Sequence, residues 1–211
     1  MIKERRGLVV ALTGGIVASY LLRRARPVGR ELNRSSVLDR VTEDRLAPRS
    51  FPHDHDLMLV VFTDYQCPAC RRADPAMQAA LIHDGRVGVM YKEWPIFGRR
   101  SEDAARVAIA GYFQGKYAAM HDALMRFPGA LDQSVLQSVA TGVGIDWTRV
   151  EADLRARKER IDRTLSQAAL DAFSLGLQGT PAYLAGRVVA EGALSEAEFR
   201  SLFVRARASG I

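Results

Sequence analysis

The spacing of apolar residues changes several times along the chain, and each change marks an element. Leu57 to Phe62 is an unbroken apolar run of strand length, as expected of a strand covered on both faces. After a short polar turn, Ala69, Ala73, Met77, Ala80 and Leu81 recur at helical spacing. Pro68 fits the first turn of that helix, where its missing N–H costs nothing, and Pro75 inside it predicts a kink. Asp84-Gly85 reads as a turn, and Arg86 to Tyr91 alternates as a second strand.

From Ser101 to Leu175 the period is helical throughout. Ala104, Ala105, Ala108 and Ile109 mark one helix, and Tyr117, Met120, His121 and Leu124 the next. Asp132 and Asp146 are placed to cap two more, and a long last helix carries Ile161, Leu165, Ala168, Ala169 and Ala172 before Gly176 ends it. Ala182-Tyr183-Leu184 and a run from Val188 then read as strands around the turn Ala185-Gly186-Arg187. Ser195 and Glu198 stand at capping-box spacing before a final helix with Phe199, Leu202 and Phe203 inward. The class is α/β. Strands at both ends share one sheet only if the helical block is an excursion from it. Upstream, residues 36–46 place Val37, Leu38, Val41 and Leu46 on one side of a short amphipathic helix, to pack on the domain or on a neighbouring copy.

Charge changes the picture at one end only. Of the 30 basic and 24 acidic residues, eight and two lie in residues 1–34, so the whole net charge of +6 sits there. The remainder carries 22 of each sign, which argues against nucleic-acid binding by the body. Lys3, Arg5 and Arg6 precede 16 uncharged residues, Gly7 to Leu22. As a helix these span about 24 Å at ~1.5 Å per residue, short of a ~30 Å hydrocarbon core. This is the anatomy of an export signal or a short membrane anchor. Arg5-Arg6 is a loose match to a twin-arginine signal, and the arginines at 23, 24, 26 and 30 oppose translocation, so cleavage and anchoring both stay open. Residues 23–34 read as a basic linker.

The candidate chemistry lies in the two cysteines of the chain, Cys67-Pro68-Ala69-Cys70, at the junction of the first strand and its helix. Cys67 precedes Pro68 and takes the N-cap, where unpaired N–H groups and the helix dipole favour a thiolate. Cys70, one turn in, is expected to be more buried and less acidic, so that Cys67 attacks and Cys70 resolves. This requires an exposed Cys67 sulfur. Three readings compete: a structural disulfide, whose short loop constrains the unfolded chain little; a metal site, where two cysteines fall short of the four ligands of structural zinc but could bind copper in a non-enzymatic envelope protein; and two inert buried thiols. His53-Asp54-His55 is a conceivable copper clamp in an otherwise solvated loop.

Four segments together resemble a known family. They are Asp64-Tyr65-Gln66-Cys67-Pro68-Ala69-Cys70, Tyr91-Lys92-Glu93-Trp94-Pro95-Ile96-Phe97-Gly98, Gly115-Lys116-Tyr117 with His121-Asp122-Ala123-Leu124-Met125, and Gly179-Thr180-Pro181-Ala182-Tyr183. In that order they resemble the DsbA-like thiol–disulfide oxidoreductases over residues 55–207, nearest the branch of envelope oxidases and suppressor-of-copper-sensitivity proteins. The resemblance implies a thioredoxin-like fold at 55–98 and 176–211 with an inserted all-helical subdomain at 99–175, preceded by the signal or anchor at 1–34 and a helix and linker at 35–54. It implies that Cys67 is the nucleophile and Cys70 the resolving thiol, with no cofactor beyond the redox-active Cys67–Cys70 disulfide and no metal. It implies that Thr180-Pro181 is a cis bond facing Cys67, where the Thr180 backbone pairs with substrate.

The implied setting is the periplasm or cell envelope, with residues 7–22 as a tether to the inner membrane. The implied partners are reduced or misoxidised exported proteins and a membrane redox partner, either a quinone-linked oxidase or an electron donor. Isomerases of this kind are dimers or trimers, which makes the 36–46 helix a candidate contact. One position departs from the pattern: Ala69 stands where strong oxidases carry His, which puts the direction of transfer in question. Asp64 reads as a strand-end residue and Glu93 as an ion-pair partner of Lys92, although each could carry a proton.

Overall fold

The computed structural model describes residues 27–210, so the apolar stretch 7–22 and the basic residues up to Arg26 lie outside the described residues. The strands are β1 (Arg30–Glu31), β2 (Arg49–Ser50), β3 (Leu57–Thr63), β4 (Val87–Glu93), β5 (Ala182–Ala185) and β6 (Val188–Glu191). The helices are α1 (Ser36–Thr42), α2 (Pro68–Asp84), α3 (Arg99–Phe113), α4 (Tyr117–Arg126), α5 (Gln133–Gly142), α6 (Trp147–Ala156), α7 (Lys158–Ser174) and α8 (Glu196–Ala208). The strands form one six-stranded sheet in the order β1-β6-β5-β3-β4-β2. Only β3 and β4 are parallel, joined through α2, and β5 returns antiparallel to β3 with Val61 opposite Tyr183. The helices α3 to α7 are thus an insertion between β4 and β5.

Strand alternation divides the core. Leu57, Leu59 and Val61 of β3 pack with Val87, Val89 and Tyr91 of β4 under α2 and α8. Val60, Phe62 and Met90 face the other way, against Leu38 and Val41 of α1 and Ala172 and Leu175 near the end of α7. All seven residues of β4 are buried, so its alternation in sequence sorts side chains between two covered faces rather than between core and water. Gly88 is required here, because a Cβ would meet the Phe51 ring at 2.4 Å.

Most caps follow the sequence. Asp132 and Asp146 accept from Val135 N and Arg149 N, and Ser195 with Glu198 closes the capping box of α8. The helix α2 runs on through Pro75 and ends at Gly85, whose φ of 74° suits glycine. Two N-terminal expectations change. The helix α1 stops at Thr42 rather than 46, and it buries Leu38 and Val41 against its own domain. The end of the basic linker is edge strand: Arg30 and Glu31 pair with Val189 and Val188, and Arg30 Nη2 donates to Leu175 O at 2.6 Å. Among the described residues no helix is long and apolar enough to cross a membrane.

Candidate active site

The strand β3 ends at Thr63, and the next residues turn sharply into α2. Asp64 holds the turn. Its carboxylate accepts from Gln66 N at 2.7 Å, from Ser101 Oγ at 2.7 Å, and from the backbone N–H of Ile96 and Phe97 at 2.7 and 3.1 Å. It is therefore a buried anchor that ties the turn to the loop after β4. Arg71 fastens the same turn from the other side, donating to Tyr65 O at 2.7 Å and to Gly129 O at 3.2 Å. The thiols sit on a braced loop.

Cys67 is the N-cap of α2, and its sulfur accepts from Cys70 N at 3.3 Å. Its thiol donates to Thr180 O at 3.2 Å. Both cysteines are free thiols. The Cys67 thiol is held down to about 6, first by a hydrogen bond from the Cys70 thiol, against the opposing effect of burial. The Thr180 side chain and the backbone N–H groups of Cys70 and Ala69 add to it. The second thiol thus contributes more than the helix terminus does. For Cys70 the same hydrogen bond acts in reverse and, with burial, pushes the thiol far above its ordinary value. One sulfur is poised as the anion and the other keeps its proton.

The expectation of an exposed Cys67 sulfur is not met: the residue is 1% exposed. It lies just under the surface, flanked by exposed Pro68 and half-buried Gln66, Ala69 and Thr180. The cause is the loop before β5, which closes over it. In that loop the Thr180–Pro181 peptide bond is cis, and Pro181 O accepts from Gly192 N at 2.8 Å. Pro181 also lines a small cavity with Cys70, Thr63, Asp74, His121 and Tyr183. Cys67, Cys70, Thr180 and Pro181 therefore meet at one place, although 113 residues separate Cys67 from Thr180.

Behind Cys70 lies a buried polar chain that the apolar pattern concealed. His121 Nε2 stands 3.4 Å from Asp74 Oδ1, and His121 Nδ1 lies 3.0 Å from Tyr65 Oη. Tyr65 and Tyr117 both donate to Glu93 Oε1, at 2.6 and 2.5 Å. The other oxygen, Glu93 Oε2, is buried without a partner among the described residues. Burial pushes the Glu93 carboxyl up to about 7. Glu93 is thus not the partner of Lys92. Neighbours on a strand point to opposite faces, and Lys92 Nζ instead binds Asp44 and Asp171 at 2.5 and 2.7 Å.

Sequence reasoning missed Asp74, although its position four residues after Cys70 on the buried face of α2 was a usable signal. His53 and His55 do not join the site. His55 stacks on Phe51 at 4.8 Å between ring centroids, and among the described residues no group of three His, Cys, Asp or Glu side chains is placed to hold a metal.

Residues 58–204 match the DSBA-like thioredoxin domain. A thioredoxin-like oxidoreductase from Silicibacter pomeroyi is 33% identical, with a TM-score of 0.76 over 84% of this chain and 99% of that one. The catalytic domain of Proteus mirabilis ScsC is 26% identical, with a TM-score of 0.72 over 81% of this chain and 94% of that one. Among curated proteins, a Na(+)/H(+) antiporter NhaA 1 of Mycolicibacterium vanbaalenii is 30% identical over 74% of this chain. The chain spans only about a quarter of that relative's length, 25%, so the name says nothing of what this chain does. With a matching domain over most of its length and an acidic Cys67 paired to a protonated Cys70, the chain belongs to the DsbA-like thioredoxin-domain family of thiol–disulfide oxidoreductases.

Proposed function

We propose that this chain is a thiol–disulfide oxidoreductase of the bacterial cell envelope that works as an oxidase on exported proteins. The observation that supports this reading is the Cys67 thiol held down to about 6, below the ~7 of a thioredoxin nucleophile, beside a Cys70 that keeps its proton. A stabilised thiolate favours the reduced pair, which makes the disulfide a better oxidant. Ala69 takes the place of a helping His, but the hydrogen bond from Cys70 lowers Cys67 without it.

In the proposed reaction a substrate thiolate attacks Cys67 Sγ, the Cys67–Cys70 bond breaks, and Cys70 leaves with the electron pair and takes a proton. A second substrate thiolate then attacks the substrate sulfur of the mixed disulfide. Cys67 leaves as the stable thiolate, and the substrate has lost two electrons to the enzyme. The backbone at Thr180, beside Cys67 and ahead of β5, is the proposed seat for an extended substrate segment. A quinone-linked membrane partner would restore the disulfide, and residues 7–22 would tether or export the chain. The alternative is an isomerase or reductase kept reduced by a membrane donor.

The test is the equilibrium reduction potential of the purified protein against glutathione. A value near about −120 mV supports the oxidase, and one near about −270 mV turns the reading to a reductase. Cys70→Ser should trap mixed disulfides from an envelope extract, and Cys67→Ser should trap none.

A further inference from the structure

Resting on that thiol–disulfide reading, the geometry points to Asp74 and His121 as the pair that takes the proton from Cys70 when it attacks, and returns it when it leaves. Cys70 needs such a group, because it is 3% exposed and holds its proton, whereas only a thiolate attacks a disulfide. Asp74 lies one turn further along α2 on the same buried face. Asp74, His121 and Cys70 line one cavity of about 10 Å³, roughly the space one water molecule needs.

The hydrogen bonds place the pair to receive that proton. The single hydroxyl proton of Tyr65 points to Glu93 Oε1 at 2.6 Å, so its oxygen accepts from His121 Nδ1–H at 3.0 Å. His121 Nε2 faces Asp74 Oδ1 across 3.4 Å, and Gln78 Nε2 donates to the same oxygen at 3.4 Å, so the two side chains form one polar pair on the cavity that Cys70 lines. The titratable groups around them are Tyr65 in the turn, Tyr91 and Glu93 on β4, Tyr117 on α4 and Tyr183 on β5. Burial raises Tyr65, Tyr91, Tyr117 and Tyr183 above their ordinary values, so these stay neutral. Glu93, with one buried oxygen unpartnered, forms the far end of the chain.

The step balances. In a mixed disulfide on Cys67, the Cys70 proton passes to the Asp74–His121 pair directly or through one water. The Cys70 sulfur bonds to Cys67 Sγ, and the bond from Cys67 to the partner sulfur breaks. The partner leaves as a thiolate, reduced by two electrons, while the two cysteines are oxidised by two.

The experiment mixes the reduced protein with oxidised glutathione, quenches in acid and counts the Cys67–glutathione adduct by mass spectrometry. Unaltered protein should resolve the adduct quickly. Asp74→Asn should resolve it about 100-fold more slowly at pH 7, within the usual range for losing a general base. The deficit should shrink as pH rises and hydroxide takes over. His121→Gln should behave alike, and serves if Asp74→Asn does not fold. Wild-type resolution rates at pH 7 in a folded variant, or a deficit that does not change with pH, would overturn the assignment. Failure of the unaltered protein to form any adduct or disulfide would instead overturn the redox reading beneath it.

Discussion

Lys92 and Glu93 are adjacent on β4 and equally buried, each 1% exposed, yet they live in opposite surroundings. Lys92 points towards α1 and α7 and meets two carboxylates, Asp44 and Asp171. Asp171 is matched in turn by Arg40 Nε at 3.2 Å and Gln167 Nε2 at 2.8 Å. Glu93 points towards α2 and α4, meets no cation at hydrogen-bond distance, and keeps one oxygen unpartnered. On the first face burial is answered by pairing, and the product is a clasp that ties the N-terminal segment to the insertion. On the second face burial is left partly unanswered, and the titratable groups there run towards the thiols. Buried titratable groups with raised pKa and incomplete pairing are the kind that collect at functional sites.

That contrast can be broken from either side. The largest effect is expected from Lys92→Met, which strands two buried carboxylates and should cost about 3–5 kcal/mol in denaturant unfolding. If the clasp is purely structural, the Cys67 ionisation near 6 stays in place in the folded fraction. A shift of a full unit would merge the two faces into one system.

Glu93→Gln should act with the opposite sign. The native carboxyl sits at about 7 against an ordinary 4.5, so the fold holds a proton that the unfolded chain releases. The stability this group gives is full below its unfolded value and is lost as pH rises through about 7. Glutamine cannot lose that proton. Measured by urea unfolding, the variant should therefore gain on the parent between pH 4.5 and 8, by up to about 3 kcal/mol. A difference that stays flat with pH would contradict the account.

Asp64→Ala removes the acceptor for Ser101 Oγ and for the N–H groups of Gln66, Ile96 and Phe97. It should cost about 1–3 kcal/mol and speed alkylation of Cys67 by loosening the turn that braces it. Ser195→Ala, far from both faces, should cost only about 1 kcal/mol through the lost cap of α8 and leave thiol reactivity unchanged. Thiol reactivity that followed stability across this series, whichever face was altered, would remove the distinction between the faces.

What could be read beforehand divides along physical lines. Elements written as local pattern were legible: the apolar run of β3, the helical period of α3 and α4, and the caps at Asp132, Asp146 and Ser195. The meeting of Cys67 with Thr180 and Pro181 was legible only through resemblance to a family, since nothing local links positions 113 apart. The ion pairs of Lys92 were not, because its partners lie 48 and 79 residues away on elements whose packing fixes the match. Pairing Lys92 with Glu93 ignored strand alternation, which sends neighbours to opposite faces. The covered state of Cys67 also escaped, because a residue at a helix N-terminus is open to water only if no distant loop lies across it. His121 was visible as a position on an apolar helix face and Asp74 was not singled out, because their contact arises only where α2 and α4 cross.

The central claim is that the two thiols divide the labour by ionisation. Its most direct test is the pH dependence of iodoacetamide alkylation of the reduced protein, read separately at each cysteine by mass spectrometry. The account predicts Cys67 modified with a midpoint near 6, and Cys70 untouched through the neutral range. Modification of both cysteines with a common midpoint near about 8.5, that of an ordinary thiol, would contradict it.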